Sequence, residues 1–339
     1  MAKDILPLIR LSGSSEQIGL MHGRLLAARI EGAIDFYRAA FKQSEADILN
    51  SAEFFKRKIS KFSKNYAIEI EAIAEGANVD PLWIYALNSR TEILPPRALG
   101  ECTAVYFRNS RTLGQNWDWA RRMEKLAVIM RIERQDGHKI LMVTEPGIIG
   151  KIGFNSAGIG VCLNILHCGK KLDGIPIHII LRAILDSKSL PEAKRMINRA
   201  WPGKSSNVLI GDSRGNYSDF EFAADKIFEL GSKKPIFVHT NHYLGKSINT
   251  NAKKFASSFS RFERAQEIAS AISGGSAAEM KAILLDRARK DLPICRHYVA
   301  DPDIGTVGTI CSVIMDLGRK KMHITRGSPL RNAFETIAL

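Results

Sequence analysis

A thiol and a carboxylate sixteen residues apart, Cys102 and Asp118, form the most concentrated reactive pair in the 339-residue chain. Between them, two apolar runs at 103–107 and 113–119 flank Arg108, Asn109, Ser110 and Arg111, a turn-forming composition, so the stretch reads as a hairpin. A strand rises about 3.3 Å per residue, and an antiparallel return of this length carries Asp118 back beside Cys102. The chemistry open to such a pair is nucleophilic attack by sulfur beside a carboxylate partner. Taken alone, a cysteine is among the most buried residue types and reads as core. Here the polar and flexible neighbours Gly100 and Glu101 precede it, and it stands where helical sequence gives way to sheet. No histidine lies close in sequence to activate it.

The elements that position this pair follow from periodicity. Residues 16–43 place Ile18, Met21, Leu25 and Ala28 on one helical stripe, with Gly32 next on it, where a missing side chain either admits a neighbouring element or weakens the helix. Helix continues over 44–76, opened by a Ser44 cap and stopped by Gly76 and Asn78, and Pro81 starts another over 81–90. The loop over 91–100, with Pro95 and Pro96, reads as exposed. The first hundred residues are thus expected to be almost wholly helical. Strands follow at 102–107, 112–119, 126–134, 139–145, 150–154 and 158–165, and their hairpin connections favour antiparallel sheet.

Two helices come next, at 176–186 and 190–200, the second opened by a capping box from Ser189 to Glu192 with Pro191 in its first turn. Strands return at 206–211, 217–223 and 235–239. Helices at 258–272 and 277–289 precede the last strands, 307–315 and 320–325, and Ser276 with Glu279 makes another capping box. There is no phosphate-binding glycine loop between a strand and a helix, no internal repeat and no low-complexity tract. This order predicts an α+β fold of two antiparallel sheets stacked on each other, each covered by helices on its other face.

Composition excludes several classes. The chain is 45% hydrophobic and 25% charged, with no apolar run long enough to span a bilayer and no signal-peptide pattern, so a membrane is not expected as a partner. Five cysteines, an odd number at irregular spacing, suit reduced thiols in a cytoplasmic protein. Cys162, His167 and Cys168 are loosely spaced for a metal, but no second cluster completes a site, and neither metal nor cofactor is expected. The formal charge of +14 is spread along the chain, without the interleaved aromatics of a nucleic-acid-binding face. It reads first as a solvated basic surface, with attraction of anionic substrates such as coenzyme A esters as the alternative.

Several short pieces carry more by their order than singly. Gly19 to Arg24, Leu87 to Glu92, Cys102 with Thr103, and Gly114 to Trp119 come first. Glu145 to Gly147, Gly153 to Gly158, Ser205 to Asn207, His239 to Tyr243, Ile294 to His297 and Ser312 to Leu317 follow. In this order the chain resembles the acyl-coenzyme A:6-aminopenicillanic acid acyltransferase family, related to the C45 peptidases, among the N-terminal-nucleophile hydrolases. The resemblance implies the four-layer αββα sandwich of that superfamily. It also implies self-cleavage between Glu101 and Cys102, giving a helical leader of residues 1–101 that stays packed on a sheet-rich catalytic fragment, 102–339. The family's penicillin acyltransferase has glycine before its nucleophile, so the bulk and charge of Glu101 are expected either to slow this cut or to require a different local backbone for it.

A cysteine thiol titrates near 8.5 and a free α-amine near 7.7–8.0, so the amine released by cleavage can take the proton of its own thiol without a histidine. Before cleavage that nitrogen is an amide and cannot be a base, although the thiol can still attack the Glu101 carbonyl in an N-to-S acyl shift. By the resemblance, Asp118 holds amine and thiol in register, and Asn241 donates to the tetrahedral oxyanion. Asn116 shares the Asp118 face by two-residue periodicity and is expected to orient the site or bind substrate, whereas Trp117 and Trp119 face away and pack. Thr103 adjoins the nucleophile, and His239 and His242 are expected in the site wall, lacking a third partner for a metal. Arg296 or Arg326 would bind an acidic substrate group, and the sequence does not decide between them.

The expected partner is a small-molecule amide or acyl thioester, a coenzyme A ester among the candidates, and a homo-oligomer is left open. Water as the second acceptor gives hydrolysis and an amine gives transfer. Two alternatives remain: an uncleaved cysteine hydrolase assisted by histidine, and a non-catalytic basic binding protein on the same scaffold.

Overall fold

The computed structural model describes residues 6–95, 102–169, 173–223, 226–231, 234–245, 253, 255–272 and 275–339. The chain opens with strand β1 (Leu8–Gly13), then helices α1 (Ser15–Phe41), α2 (Glu45–Phe62), α3 (Lys64–Ala77), α4 (Pro81–Asn88) and α5 (Arg90–Ile93). Strands β2 (Thr103–Phe107) and β3 (Thr112–Ala120) form the predicted hairpin, followed by the turn α6 (Met123–Leu126). Next come β4 (Val128–Arg134), β5 (Lys139–Thr144), β6 (Ile152–Asn155) and β7 (Ile159–Ile165), then α7 (Ile177–Asp186) and α8 (Leu190–Ala200). Strands β8 (Ser206–Asp212), β9 (Tyr217–Ala223), β10 (Lys226–Leu230) and β11 (Ile236–His239) lead to α9 (Ala256–Ser270) and α10 (Ala277–Leu284). The chain closes with β12 (Val299–Asp301), β13 (Gly305–Asp316), β14 (Lys321–Thr325) and β15 (Phe334–Ala338).

Two sheets result. One runs β1-β4-β5-β6-β7-β8-β9-β10, the other β11-β2-β3-β13-β14-β15 with β12 paired to β13. They stack face to face: Tyr106 of β2 lies against Gly211 of β8, and Leu113 of β3 against Gly160 of β7. Helices α7 and α8 cover the outer face of the first sheet, α9 and α10 that of the second. This is the expected four-layer α+β sandwich, with a core of aliphatic side chains between the sheets.

Local signals explain most boundaries. Ser44 caps α2 by accepting from the Asp47 N–H, and Asn78 ends α3 in the left-handed conformation, φ 55°. The Ser276–Glu279 box caps α10 as read, and an unpredicted one, Ser14 with Gln17, caps α1. The expected single helix over 44–76 is two, because Ser63 closes α2 through its N–H to Ile59 and caps α3 through its hydroxyl to Tyr66.

The expectation that the first hundred residues lack strand fails at β1. That strand pairs in parallel with β4, so the first sheet is not wholly antiparallel. Strands β10, β12 and β15 were also not predicted, and they are exposed edge elements with weak apolar alternation. The loop expected from residue 91 begins instead as α5, with Arg90 and Thr91 buried, while residues 96–100 lie outside the described set.

Helices α1 and α3 cross so closely that a Cβ on Gly23 would lie 2.2 Å from the Ile73 carbonyl oxygen, and one on Gly76 2.4 Å from that of Leu20. Backbone cannot yield as a flexible side chain can. Gly23→Ala therefore forces the helices apart and is expected to cost about 1–3 kcal/mol in urea unfolding, the usual range for overpacking. An unchanged midpoint would show that the contact yields without cost.

Candidate active site

The β2–β3 register pairs Thr103 with Asn116 and Phe107 with Thr112, which sets Cys102 at the mouth of β2 opposite the Trp117–Asp118 segment. The Cys102 Sγ lies 4.0 Å from the Asp118 backbone oxygen. Both residues line a cavity whose walls include Trp117, Trp119, Ile152, Leu163, Ile165 and Leu166, with Arg90, Lys151, His167 and Lys204 as its basic members. Burial, then the negative Asp118, push the Cys102 thiol up to about 12, so in the intact chain sulfur is held protonated at neutral pH.

Behind the nucleophile, Arg261 of α9 is fully buried and forks across the site. Its Nη1 donates to the Cys102 carbonyl oxygen at 2.7 Å and to Thr103 Oγ1 at 2.9 Å. Its Nη2 donates to Asn241 Oδ1 at 3.0 Å. The guanidinium thus fixes which way the Asn241 amide points, because oxygen must face it and nitrogen must face elsewhere. Asn241 Nδ2 donates to the Ile165 carbonyl at 3.0 Å and carries a second hydrogen, while its backbone N–H is held by Ser258 Oγ at 2.7 Å. Asn241 is buried beside the cavity, its amide joined to the Ile165 wall and, through Arg261, to Cys102.

A second buried charge cluster backs the opposite wall. Glu145 accepts from Arg90 at 2.6 Å and 3.2 Å, and also from Lys151 and Tyr37. Lys151 Nζ sits 3.7 Å above the Trp117 ring and Arg90 lies over Trp119, at 5.0 Å. Burial opposes ionisation of Glu145, but Arg90 and Lys151 outweigh it and hold the carboxyl well below its usual range. Burial pulls Lys151 down to about 8, only partly offset by Glu145.

The remaining predicted residues separate. Asn116 does not reach the cavity: its amide donates to the Leu284 and Ile294 carbonyls at 2.7 and 3.1 Å, tying the end of α10 to β3. His239 is not in the cavity wall but in a buried acidic cluster, 2.9 Å from Glu221 Oε1. His242 stacks on Phe259 at 3.9 Å. Arg326 pairs with Glu335 at 2.7 Å and donates to the Leu6 carbonyl, which takes it out of the site. Arg296 is bound through its backbone to Thr309 and does not line the cavity. Trp117 and Trp119, expected to face away from Asp118 and pack, instead line the cavity together with it. Glu101 lies outside the described residues. Among the described residues no three His, Cys, Asp or Glu groups are disposed to hold a metal, and no helix is long and apolar enough to cross a membrane.

Sequence reasoning missed Arg261, Lys151 and the buried charge cluster that Arg90 and Glu145 form behind the cavity. The last two fall inside segments that carried the family resemblance; Lys151 sits in an apolar stretch and Arg261 in a serine-rich helix, and neither had a local signal.

Two stacked sheets between helical layers, with a cysteine entering one strand and a carboxylate on its hairpin partner, define a cysteine N-terminal-nucleophile hydrolase. The family model described as acyl-coenzyme A:6-aminopenicillanic acid acyl-transferase matches residues 107–331. A curated relative, the 40 kDa form of acyl-coenzyme A:6-aminopenicillanic-acid-acyltransferase of Emericella nidulans, is 30% identical over 345 residues, covering 98% of this chain and 95% of the relative. A solved structure of a mutant conjugated bile acid hydrolase from Clostridium perfringens shares the fold with a TM-score of 0.51 at 12% identity, over 70% of this chain and 92% of that one. The chain belongs to the acyl-coenzyme A:6-aminopenicillanic acid acyl-transferase family, and is a self-processing cysteine amidohydrolase or acyltransferase.

Glu145→Gln leaves Arg90 and Lys151 without their shared anion, and is expected to cost about 3–5 kcal/mol at neutral pH. Because folding lowers the Glu145 pKa, its stabilisation is fully present above the unfolded carboxylate value of about 4.3 and is lost as pH falls below it. Urea titrations of both proteins from pH 7 to 3 should therefore show the gap narrowing on acidification; a constant gap would contradict the ion-pair account.

Proposed function

We propose that the chain cuts itself between Glu101 and Cys102 and that the freed Cys102 transfers acyl groups from a linear amide or acyl thioester. What carries this reading is the pairing of a thiol pushed up to about 12 in the intact chain with a wall that holds Cys102 against Asp118. Such a sulfur needs a base at its side, and release of its own α-amine supplies one. The amine takes the thiol proton, Sγ forms a bond to the substrate carbonyl carbon, and the oxygen becomes an oxyanion that accepts from Asn241 Nδ2. Collapse returns the proton to the departing amine or thiol and leaves a thioester on Cys102. Water or an acceptor amine then attacks the thioester with the α-amine again as base. Asp118 orients that amine and offsets its charge when protonated.

The substrate reading rests on shape and charge. Apolar walls from Trp117, Ile152, Leu163 and Leu166 suit an acyl chain. Past Leu94, Pro95, Leu166, His167 and Lys204 the cavity adjoins a second recess, lined by Lys42, Gln43 and Ser205 among others, that offers a place for a bulky polar group. The basic wall favours an anionic one, in keeping with a coenzyme A ester, the donor in the name of the Emericella nidulans relative.

The fragments 1–101 and 102–339 would remain together, since His22 accepts from the Gly147 N–H at 2.9 Å, and Glu69 binds Arg182 at 2.7 and 2.9 Å across the proposed division. A histidine-assisted, uncut enzyme has one observation in its favour, His167 in the cavity wall.

Intact mass and N-terminal sequencing should find a fragment beginning at Cys102, and incubation with an activated acyl ester should add one acyl group to it. Cys102→Ala is expected to remain a single chain of 37.6 kDa without an adduct. Asn241→Ala should lower turnover about a hundredfold or more, the scale of losing one oxyanion donor, while His167→Ala leaves it within a few-fold. Full turnover by an uncut population, lost on His167→Ala, would reverse the assignment.

A further inference from the structure

We infer that Glu221, acting with His239, is the positioning pair that aims Asn241; the inference rests on the reading of Asn241 as oxyanion donor. Glu221 and Asp219 project from the same face of β9, and both are completely buried. Glu221 Oε1 accepts from the Leu244 N–H at 2.6 Å and faces His239 Nε2 at 2.9 Å, while its Oε2 accepts from the Gly245 N–H at 3.1 Å. On the near side of Asn241, His239 Nδ1 lies 2.8 Å from the Thr240 carbonyl oxygen. One carboxylate and one imidazole therefore clamp the backbone on both sides of the asparagine.

The partners dictate the protons. Both ring nitrogens of His239 face acceptors, and Glu221 receives two backbone N–H groups, an arrangement satisfied by imidazolium and carboxylate together. Asp219 Oδ2, without a hydrogen-bond partner among the described residues, lies 3.8 Å from His239 Nε2, and burial raises this carboxyl to about 7 against the lowering by His239 and Asn207. Burial penalises the imidazolium, but Asp219 and Glu221 outweigh it and raise the His239 pKa.

The cluster does not end there. Asp219 Oδ1 accepts from Asn207 at 2.6 Å, Asn207 Oδ1 from Asn164 at 3.0 Å, and Asn164 Oδ1 from Gln115 at 3.0 Å. Gln115 is on β3, three residues before Asp118, so one buried polar chain joins the Asp118 strand to the Asn241 loop. A buried ion pair is a poor source of stability compared with apolar packing of the same volume, and its best-attested return is a unique register. Here the register it sets is that of Asn241 relative to β3.

The test uses p-nitrophenyl hexanoate as acyl donor and follows p-nitrophenolate release, normalised to the fraction of chains that begin at Cys102 by intact mass. Glu221→Gln is expected to lower the acylation rate at saturating ester about ten- to a hundredfold, with half-saturation within twofold of wild type. In an Asn241→Ala background the same change should cost less than about twofold, because the residue it aims is gone. Glu221→Asp, which keeps the charge but cannot span both N–H groups, should fall between, and serves if the glutamine variant does not fold. Wild-type acylation rates in folded Glu221→Gln or Glu221→Asp, or an equal loss with and without Asn241, would overturn the inference. A wild-type protein that takes no acyl group on Cys102 would instead remove the function reading, and the inference with it.

Discussion

The site depends on a single buried guanidinium. Arg261 binds the carbonyl of the nucleophile, the hydroxyl beside it and the side-chain oxygen of Asn241, from a helix packed on the outer face of the sheet. A lysine could not do this, because the three acceptors need a rigid planar fork. Its position spares the cavity a cation while fixing the geometry of two strand ends and one loop. The β2–β3 register then sets where the Cys102 sulfur meets Asp118, and the α9 packing sets where Asn241 stands relative to both.

The opposite wall is held by different physics. Glu145 gathers Arg90, Lys151 and Tyr37 into a buried cluster, and the aromatic faces of Trp117 and Trp119 cover its cations. Arg90 comes from the helical N-terminal region, Glu145 and Lys151 from the loop between β5 and β6, so the cluster stitches these regions at the cavity. The close α1–α3 crossing and the Arg182–Glu69 pair anchor the same helices farther away. The cavity thus lies between two rigid charge assemblies, one aiming the polar groups and one shaping the wall.

Much of this frame was legible because it rests on local signals. The hairpin at 103–119, the Ser189 and Ser276 caps and the proline start of α4 announce themselves by residue type, and the stacked sheets follow from counting strands and covering helices. Strand β1 was not legible: its six residues are short and half exposed, and only the tertiary partner β4 makes them a strand. The side chains failed where long-range contact decides. Asn116 shares a face with Asp118 by periodicity, yet α10 captures its amide before it can reach the cavity, and Arg326 is taken by Glu335 from the last strand. Arg261 shows the converse, an unremarkable residue in sequence that distant packing brings to the centre.

The buried histidines His22, His178 and His239 are tied to the scaffold. His22 accepts from the Gly147 N–H, and burial followed by the nearby Arg182 pulls it down to about 3. His178, bound to the Gly150 carbonyl, is driven well below its ordinary value by burial and then by Arg90 and Lys151. His239 is shifted the other way and is committed to Glu221. These three rings are committed to the Gly147 N–H, the Gly150 carbonyl and Glu221, and none is among the residues lining the cavity. Under the proposed self-cleavage, an amine on the Cys102 backbone would reach the sulfur by covalent geometry, with Asp118 as its partner and without drawing on these committed rings.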